Sequence, residues 1–451
     1  MFYLLIDSRA FMQSYDIHSF AFLAASAALV LVYVLVITEW VNRAVTAVLG
    51  AAVLITIGVI NQREAVAAID FNTVGLLVGM MIMVAVARKS GLFGYAAIAA
   101  VQTVRGSPAG ILIALALVTA IFSAFLNNVT TILLVVPVTV VVCGQLKVPV
   151  YPFLFAEIFA SNIGGTATLI GDPPNIMIGS AAHLSFNAFI ANLAPIVIVI
   201  MAMQLAVNHI IWGRTMHTTP EARAHVMALN AREAIEDWRL LWWSLIVLAL
   251  AIIAFIFEDQ LRLQAATIAM FGGALMLLID NLPLAHSEQT SNITAALNQV
   301  EWVTIFFFLG LFIVVGAVDH AGVLAWLGHL LVEWTGGNVR LAAGGMLWAS
   351  AILSAIIDNI PFVATMIPLV KGLAPTFGGA VALDPIWWSL ALGACLGGNG
   401  TLVGASPNLV AAGLAQKEGV DFSFMKFTAL AFPMMLASIA ICQVYILWRY
   451  F

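Results

Sequence analysis

The chain reads as an all-α polytopic membrane protein built from two inverted-topology repeats, each holding a re-entrant helical hairpin and a broken transmembrane helix. Three observations predict this: an excess of apolar residues, a repeat at a shift of about 231 positions, and glycine- and proline-rich interruptions at matching places in both halves. Of 451 residues, 63% are hydrophobic and 9% charged, and the mean hydropathy is +1.07. No water-soluble fold buries so much apolar surface behind so few charges. The net charge of −5 is modest and its polar residues fall in short loops, which excludes a nucleic-acid patch.

Apolar segments lie near 19–38, 43–61, 71–88, 109–126, 129–146, 152–183, 193–212, 240–257, 263–280, 302–318, 340–357, 360–377, 386–415 and 428–448. The first is too long for a signal-peptide core and lacks a cleavage site, so a retained span is expected. Amphipathic pieces between 88 and 107 and between 319 and 338 suit the membrane interface better than a crossing. The polar stretch 213–239 divides the chain. The first repeat is therefore set at 19–212, with its hairpin at about 109–146 and its broken helix at about 152–183. A cytoplasmic linker occupies 213–239, and the second repeat, 240–451, has its hairpin at about 340–377 and its broken helix at about 386–415.

The repeat is explicit. "DFNTVGLLVGMMIMVAVARKSGLF" from Asp70 lies over "EWVTIFFFLGLFIVVGAVDHAGVL" from Glu301, and Thr73, Gly79, Ile82, Val84 and Gly91 each meet an identical residue. At the same shift "SAFLNNVTTILLVVP" from Ser123 lies over "SAIIDNIPFVATMIP" from Ser354. A two-residue adjustment then pairs "GGTATLIGDPPN" from Gly164 with "GGNGTLVGASPN" from Gly397.

With both asparagine-bearing segments folded as hairpins, each half has five crossings, about 10 in all. An odd number inverts the second half, the plan of many secondary transporters. Loop assignment gathers Arg43, Arg88, Lys89, Arg105, Lys147, Arg214, Arg223, Arg232, Arg239, Lys417 and Lys426 on one side, leaving six of the seventeen basic residues for the other. The positive-inside rule makes the first side cytoplasmic, with both termini outside.

The interruptions carry the chemistry. Non-helical backbone is tolerated at membrane depth only where protein buries it or water reaches it. Glycines unwind each helix, and a new half-helix begins with Asp172 as N-cap and Pro173 following, or with Ser406 as N-cap and Pro407 following. Two half-helix N-termini then point partial positive charge at the centre while unwound carbonyls offer partial negative charge. The hairpin tips add Asn127, Asn128, Thr130 and Thr131 on one side and Asp358, Asn359 and Pro361 on the other. Their amides and hydroxyls can replace a solute's hydration shell. Asp358 opposite Asn127 is the main break in two-fold symmetry, and a buried acid there suits proton or cation carriage.

Plainer readings stand beside these. Asp172 can serve as a helix cap alone. Glu157 is either a proton relay or an acid paired to nearby hydroxyl and backbone groups. The glycine pairs can serve close helix packing, and the asparagines interhelical hydrogen bonding. Cys143, Cys395 and Cys442 are too far apart for a disulfide framework or metal site and read as packing residues. The histidines show no metal spacing, and no Walker sequence is present, so a nucleotide-driven enzyme is not expected.

"ASNIGGTATLIGDPPNIMIGS" with "FLNNVTTILLVVPV" resembles the arsenite permease and P-protein branch of the ion transporter superfamily, from about residue 20 to 450. The resemblance implies a transport domain moving against a scaffold, a homodimer, and no cofactor. Carried over by position, the substrate and ion sites fall on Asn127, Asn128, Thr130, Gly165, Thr166, Asp172, Asn175, Asp358, Asn359, Gly398, Asn399, Ser406 and Asn408. Dicarboxylate relatives carry Ser-Asn-Thr at both tips, a pattern absent here, and Asp358 would repel a carboxylate. The expectation is proton-coupled efflux of arsenite or antimonite across the cell inner membrane, with Asp358, Asp172 and Glu157 as proton carriers. A sodium/proton antiporter is the alternative. The mixed-charge linker is read as a solvated connector or as a dock for a soluble ATPase subunit.

Overall fold

The computed structural model describes residues 19–451 apart from Glu39 and Asp421; the expected outward position of the N-terminus lies outside the described residues. These residues are helical without a strand, and nine helices among them are long and apolar enough to cross a membrane. The first half runs α1 (Phe20–Thr38), α2 (Arg43–Thr56), α3 (Gln62–Ala67), α4 (Phe71–Lys89), α5 (Leu92–Thr103), α6 (Pro108–Phe125), α7 (Asn128–Leu146), α8 (Tyr151–Thr166), α9 (Pro173–Ala182) and α10 (Phe186–Asn208). The linker carries α11 (Pro220–Met227). The second half follows as α12 (Trp238–Ile256), α13 (Glu258–Leu261), α14 (Ala265–Asn281), α15 (His286–Leu297), α16 (Trp302–His320), α17 (Val323–Thr335), α18 (Val339–Ser354), α19 (Asn359–Gly372), α20 (Ala374–Phe377), α21 (Asp384–Gly397), α22 (Ser406–Lys417) and α23 (Phe424–Tyr450).

Local chemistry sets the boundaries. Asn61 and Glu64 form a reciprocal capping box at the start of α3. Asp70 starts α4 by accepting from the backbone N–H groups of Asn72 and Thr73 and from the Thr73 hydroxyl. Gly91 precedes α5 at φ 80°, and a Cβ there would lie 1.8 Å from the Ala234 carbonyl oxygen, so the left-handed turn and the close approach both require glycine.

The two halves exchange helices. α4 packs along α14 of the other half, and α16 packs along α2. Gly79 and Gly310 make both contacts close: a Cβ at either would fall 2.3 Å from the Ala269 carbonyl carbon or 2.5 Å from that of Ala47. Small residues of this kind let backbones approach where lipid supplies no hydrophobic drive. Within each half the hairpin grips the broken helix, α6 against α8 and α18 against α21. All side chains from Pro152 to Thr166 and from Pro385 to Gly397 are buried, so α8 and α21 form the centre.

The linker is docked. α11 buries Ala222 and Val226, the turn at 231–234 packs on α5, and the Glu236 N–H donates to the Ser90 carbonyl at 3.1 Å.

Candidate functional site

Both broken helices unwind in the same way. Adjacent prolines at 173 and 174 lack N–H groups, so α8 cannot run on, and the chain resumes as α9 only after an extended residue at Asp172. Asn175 then reaches back, its amide 3.1 Å from the Thr166 carbonyl and 2.9 Å from that of Thr168. Asn408 repeats this on Gly398 and Thr401 at 2.7 and 2.8 Å. Hydroxyls tie the unwound loops to the hairpins: Thr168 to the Ala124 carbonyl and Thr401 to that of Ala355. Ser123 and Ser354 return the bond, each 2.6 Å from a carbonyl of the facing broken helix, Ser161 or Ala394. The loop carbonyls offered to a solute by sequence are thus largely occupied by the protein's own donors.

Between the hairpin tips and half-helices lies a narrow cleft of about 10 Å³, room for one water. Asn127, Asn128, Asp172, Asn359 and Ser406 line it, joined by Arg43, Glu301 and Thr304 from α2 and the start of α16. The expected caps are corrected here. Asp172 holds the N-cap position of α9 but makes no capping bond; its carboxylate, almost wholly buried, faces the Asn359 amide at 3.4 and 3.5 Å. In the second half the N-cap is Ala405, whose methyl cannot cap, and Ser406 is already the first helical residue, its hydroxyl donating to Asp358 at 3.0 Å. The capping side chains belong to the tips: Asn127 accepts from the Val129 N–H at 2.9 Å and Asp358 from that of Ile360 at 3.2 Å. Both are therefore N-caps of the second hairpin leg.

Asp358 is also half of an ion pair with Arg43 at 3.2 Å. Of the remaining residues expected at the site, Thr130 is half-buried in the first turn of α7 and off the cleft lining. Gly165, Thr166, Gly398 and Asn399 are buried in the unwinding turns behind it. Glu157 stands apart, fully buried on α8, with one carboxylate oxygen 2.5 Å from the Thr139 hydroxyl and the other without a partner. Sequence reasoning missed Asn162, which donates to Asn399 and Asn408 at 2.9 and 3.0 Å. It also missed Arg43, read only as a loop cation, and read Cys395 as packing although its thiol donates to Asn175 at 3.4 Å. The repeat sets Asn162 opposite Cys395, an unlike pair that masks their shared role, and Arg43 carried no signal. Among the described residues no three His, Cys, Asp or Glu side chains come together as a metal site.

A larger cavity of about 1240 Å³ opens on the other face. It runs between α9 and α19 on one wall and α4, α14 and α16 on the other, with Glu64, Asp259, Asp319 and Lys371 among its lining. α9 starts at the cleft and ends in this vestibule.

Paired tips and paired half-helices meeting at a narrow cleft, with a wide vestibule at the other end of α9, define a membrane transporter, not an enzyme. Residues 33–393 match the family model described as citrate transporter, so the chain belongs to that family. It is 43% identical to an uncharacterized transporter of Mycobacterium tuberculosis over 93% of this chain and 96% of that one. It is 34% identical to the Homo sapiens P protein over 94% of this chain and 59% of that one. The fold is similar to that of the Alcanivorax borkumensis YdaH transporter, whose crystal structure is described as having an unusual topology. The TM-score is 0.59 at 15% identity, covering 83% of this chain and 85% of the other.

Proposed function

We propose that this protein is a secondary active transporter that expels a small uncharged polyhydroxylated solute, arsenite or antimonite, in exchange for protons by alternating access. The observation that carries this reading is Asp172: a buried carboxylate at the cleft that caps no helix, has no cation as hydrogen-bond partner and meets only the neutral side chains of Asn359, Asn128 and Cys395. Such a group is available to take up and give back a proton. The cleft also holds Glu301, with Asp358 beside it, against the single guanidinium of Arg43. Citrate, the substrate in the family's description, would meet that excess of negative charge at a cost. A neutral trihydroxide would not, and the amides of Asn127, Asn128 and Asn359 can donate to it and accept from it.

The reading sets the protein in the cell inner membrane, working as a homodimer, with the 213–239 linker in the cytoplasm. The same acid excess suits sodium, which keeps sodium/proton exchange as the second reading. The experiment is accumulation of labelled arsenite in everted membrane vesicles under an imposed proton gradient, with and without sodium. Gradient-driven uptake indifferent to sodium supports arsenite efflux. Absence of uptake, with the gradient collapsing only when sodium is added, moves the assignment to sodium/proton antiport.

A further inference from the structure

Arg43 is held from two sides. On its own side, α2 packs on α16, where the Arg43 guanidinium donates to the Thr304 hydroxyl at 3.0 Å and lies 5.5 Å from the centre of the Phe307 ring. Thr304 in turn donates to Glu301 at 3.1 Å. Across the cleft, Nη1 of the same guanidinium donates to Asp358 Oδ2 at 3.2 Å and to Ser406 Oγ at 2.8 Å. Asp358 belongs to the hairpin tip and Ser406 to the half-helix, so one side chain staples both to the α2–α16 pair and closes the cleft on that face.

The staple exists in one half only. The two-fold counterpart of Asp358 is the neutral Asn127, and α14, the counterpart of α2, begins with Ala265 where α2 begins with Arg43. Both charges are absent together. A structural cap needs neither, since Asn127 caps its helix without them.

We propose that Arg43 is a tethered counter-cation that alternates with a proton on Asp358, so that closing the cleft on this face expels that proton, beside the one carried by Asp172. The proposal deepens the proton-coupled transporter reading and rests on it for its role in transport. When hairpin and half-helix move away from α2, the half-buried Asp358 loses its partner and is left an uncompensated carboxylate among apolar surroundings. A proton taken from the aqueous phase onto Asp358 removes that charge, and the same proton leaves when the guanidinium returns. Arg43 remains held by Thr304, Phe307 and Glu301 throughout. The other charged groups around Asp358 are few. Asp172 faces it from the α9 start and Glu301 from α16. Tyr33 of α1 bonds one turn further along α19, and Lys371, like the α17 surface bearing His329 and Glu333, lies toward the far end of α19.

The test reads the vestibule and needs no solute. Ser180 lines the vestibule, while Cys143, Cys395 and Cys442 are buried. In proteoliposomes carrying Ser180→Cys, labelling by a membrane-impermeant maleimide is measured against pH. Dividing by the rate for the same thiol in an Asp358→Asn background cancels thiol ionisation. The expected ratio falls on acidification by up to about tenfold per pH unit, the limit for one titrating group. Arg43→Gln is expected to flatten the profile, and Arg43→Lys to retain it. A flat profile in the unsubstituted background, or an Arg43→Gln profile that keeps its slope, overturns the proposal. If Arg43→Gln does not fold, the unsubstituted profile and Arg43→Lys decide: loss of slope with lysine present overturns it equally. A sloping profile alongside failed arsenite uptake sinks the substrate assignment and leaves the gate standing.

Discussion

Asn162 of the first broken helix donates its amide to Asn408 of the second half-helix at 3.0 Å, joining the two repeats at their shared axis. Its two-fold counterpart, Cys395, makes the mirrored bond to Asn175 at 3.4 Å. Each half-helix asparagine is therefore read from the opposite repeat while its own amide holds its own unwound loop. Asn162 also donates to Asn399 at 2.9 Å.

Asn162→Ala is expected to lower stability by about 1–3 kcal/mol, because the side-chain oxygens of Asn399 and Asn408 would be left buried without that donor. Cys395→Ser keeps a donor in place and should stay within about 1 kcal/mol of the parent. Thermal unfolding in detergent distinguishes them. Equal losses would mean that the network contributes packing alone.

This network marks where sequence reading ran out. The repeat, the hairpins and the breaks were legible because glycine, proline and tip asparagines recur at fixed shifts, and each has a backbone reason to be there. Asn162 was hidden because its counterpart is a cysteine, so the alignment registered a mismatch where the structure keeps a role. The caps were misassigned by one position in the second half because serine is a strong N-cap former, yet Ser406 is drawn to Asp358 instead. Arg43 was invisible for a different reason. It is 315 residues from Asp358 in the chain, and nothing local says that a loop cation turns inward.

Gly164→Ala and Gly397→Ala are expected to destabilise strongly. An added Cβ would sit 2.2 Å from the Ala120 carbonyl oxygen in the first case and 2.5 Å from that of Ala351 in the second. Backbone cannot yield as a side-chain tip does, so a cost above the usual overpacking range of about 1–3 kcal/mol is anticipated. Gly413→Ala is the control, with nothing within 4 Å of the new carbon. Expression and monodispersity in detergent should fall for the first two and hold for the third.

Asp172→Asn and Asp70→Ala separate binding chemistry from capping. Asp172 makes no capping bond, so its amide variant should fold with unchanged thermal stability while losing gradient-driven accumulation. Asp70 caps α4 through three bonds, away from the cleft. Asp70→Ala should cost about 1 kcal/mol of stability and leave the coupling ratio intact. Accumulation that survives in Asp172→Asn would move proton carriage to another acid.

Tyr33 offers a measure of the motion itself. Its hydroxyl, on α1, lies 2.5 Å from the Pro361 carbonyl and 3.0 Å from the Thr365 hydroxyl, both on the hairpin leg α19. If the hairpin slides past α1 during the proposed cycle, these bonds break on the way to the transition state. Tyr33→Phe then removes about 0.5–1.5 kcal/mol of resistance, and exchange should speed up by roughly two- to tenfold with little change in half-saturation. Thr365 keeps a partner in the Phe362 carbonyl at 2.8 Å, so no buried hydroxyl is orphaned by the change. An unchanged rate would mean that α1 travels with the hairpin, and that the sliding surface lies between α1 and the α2–α16 pair instead.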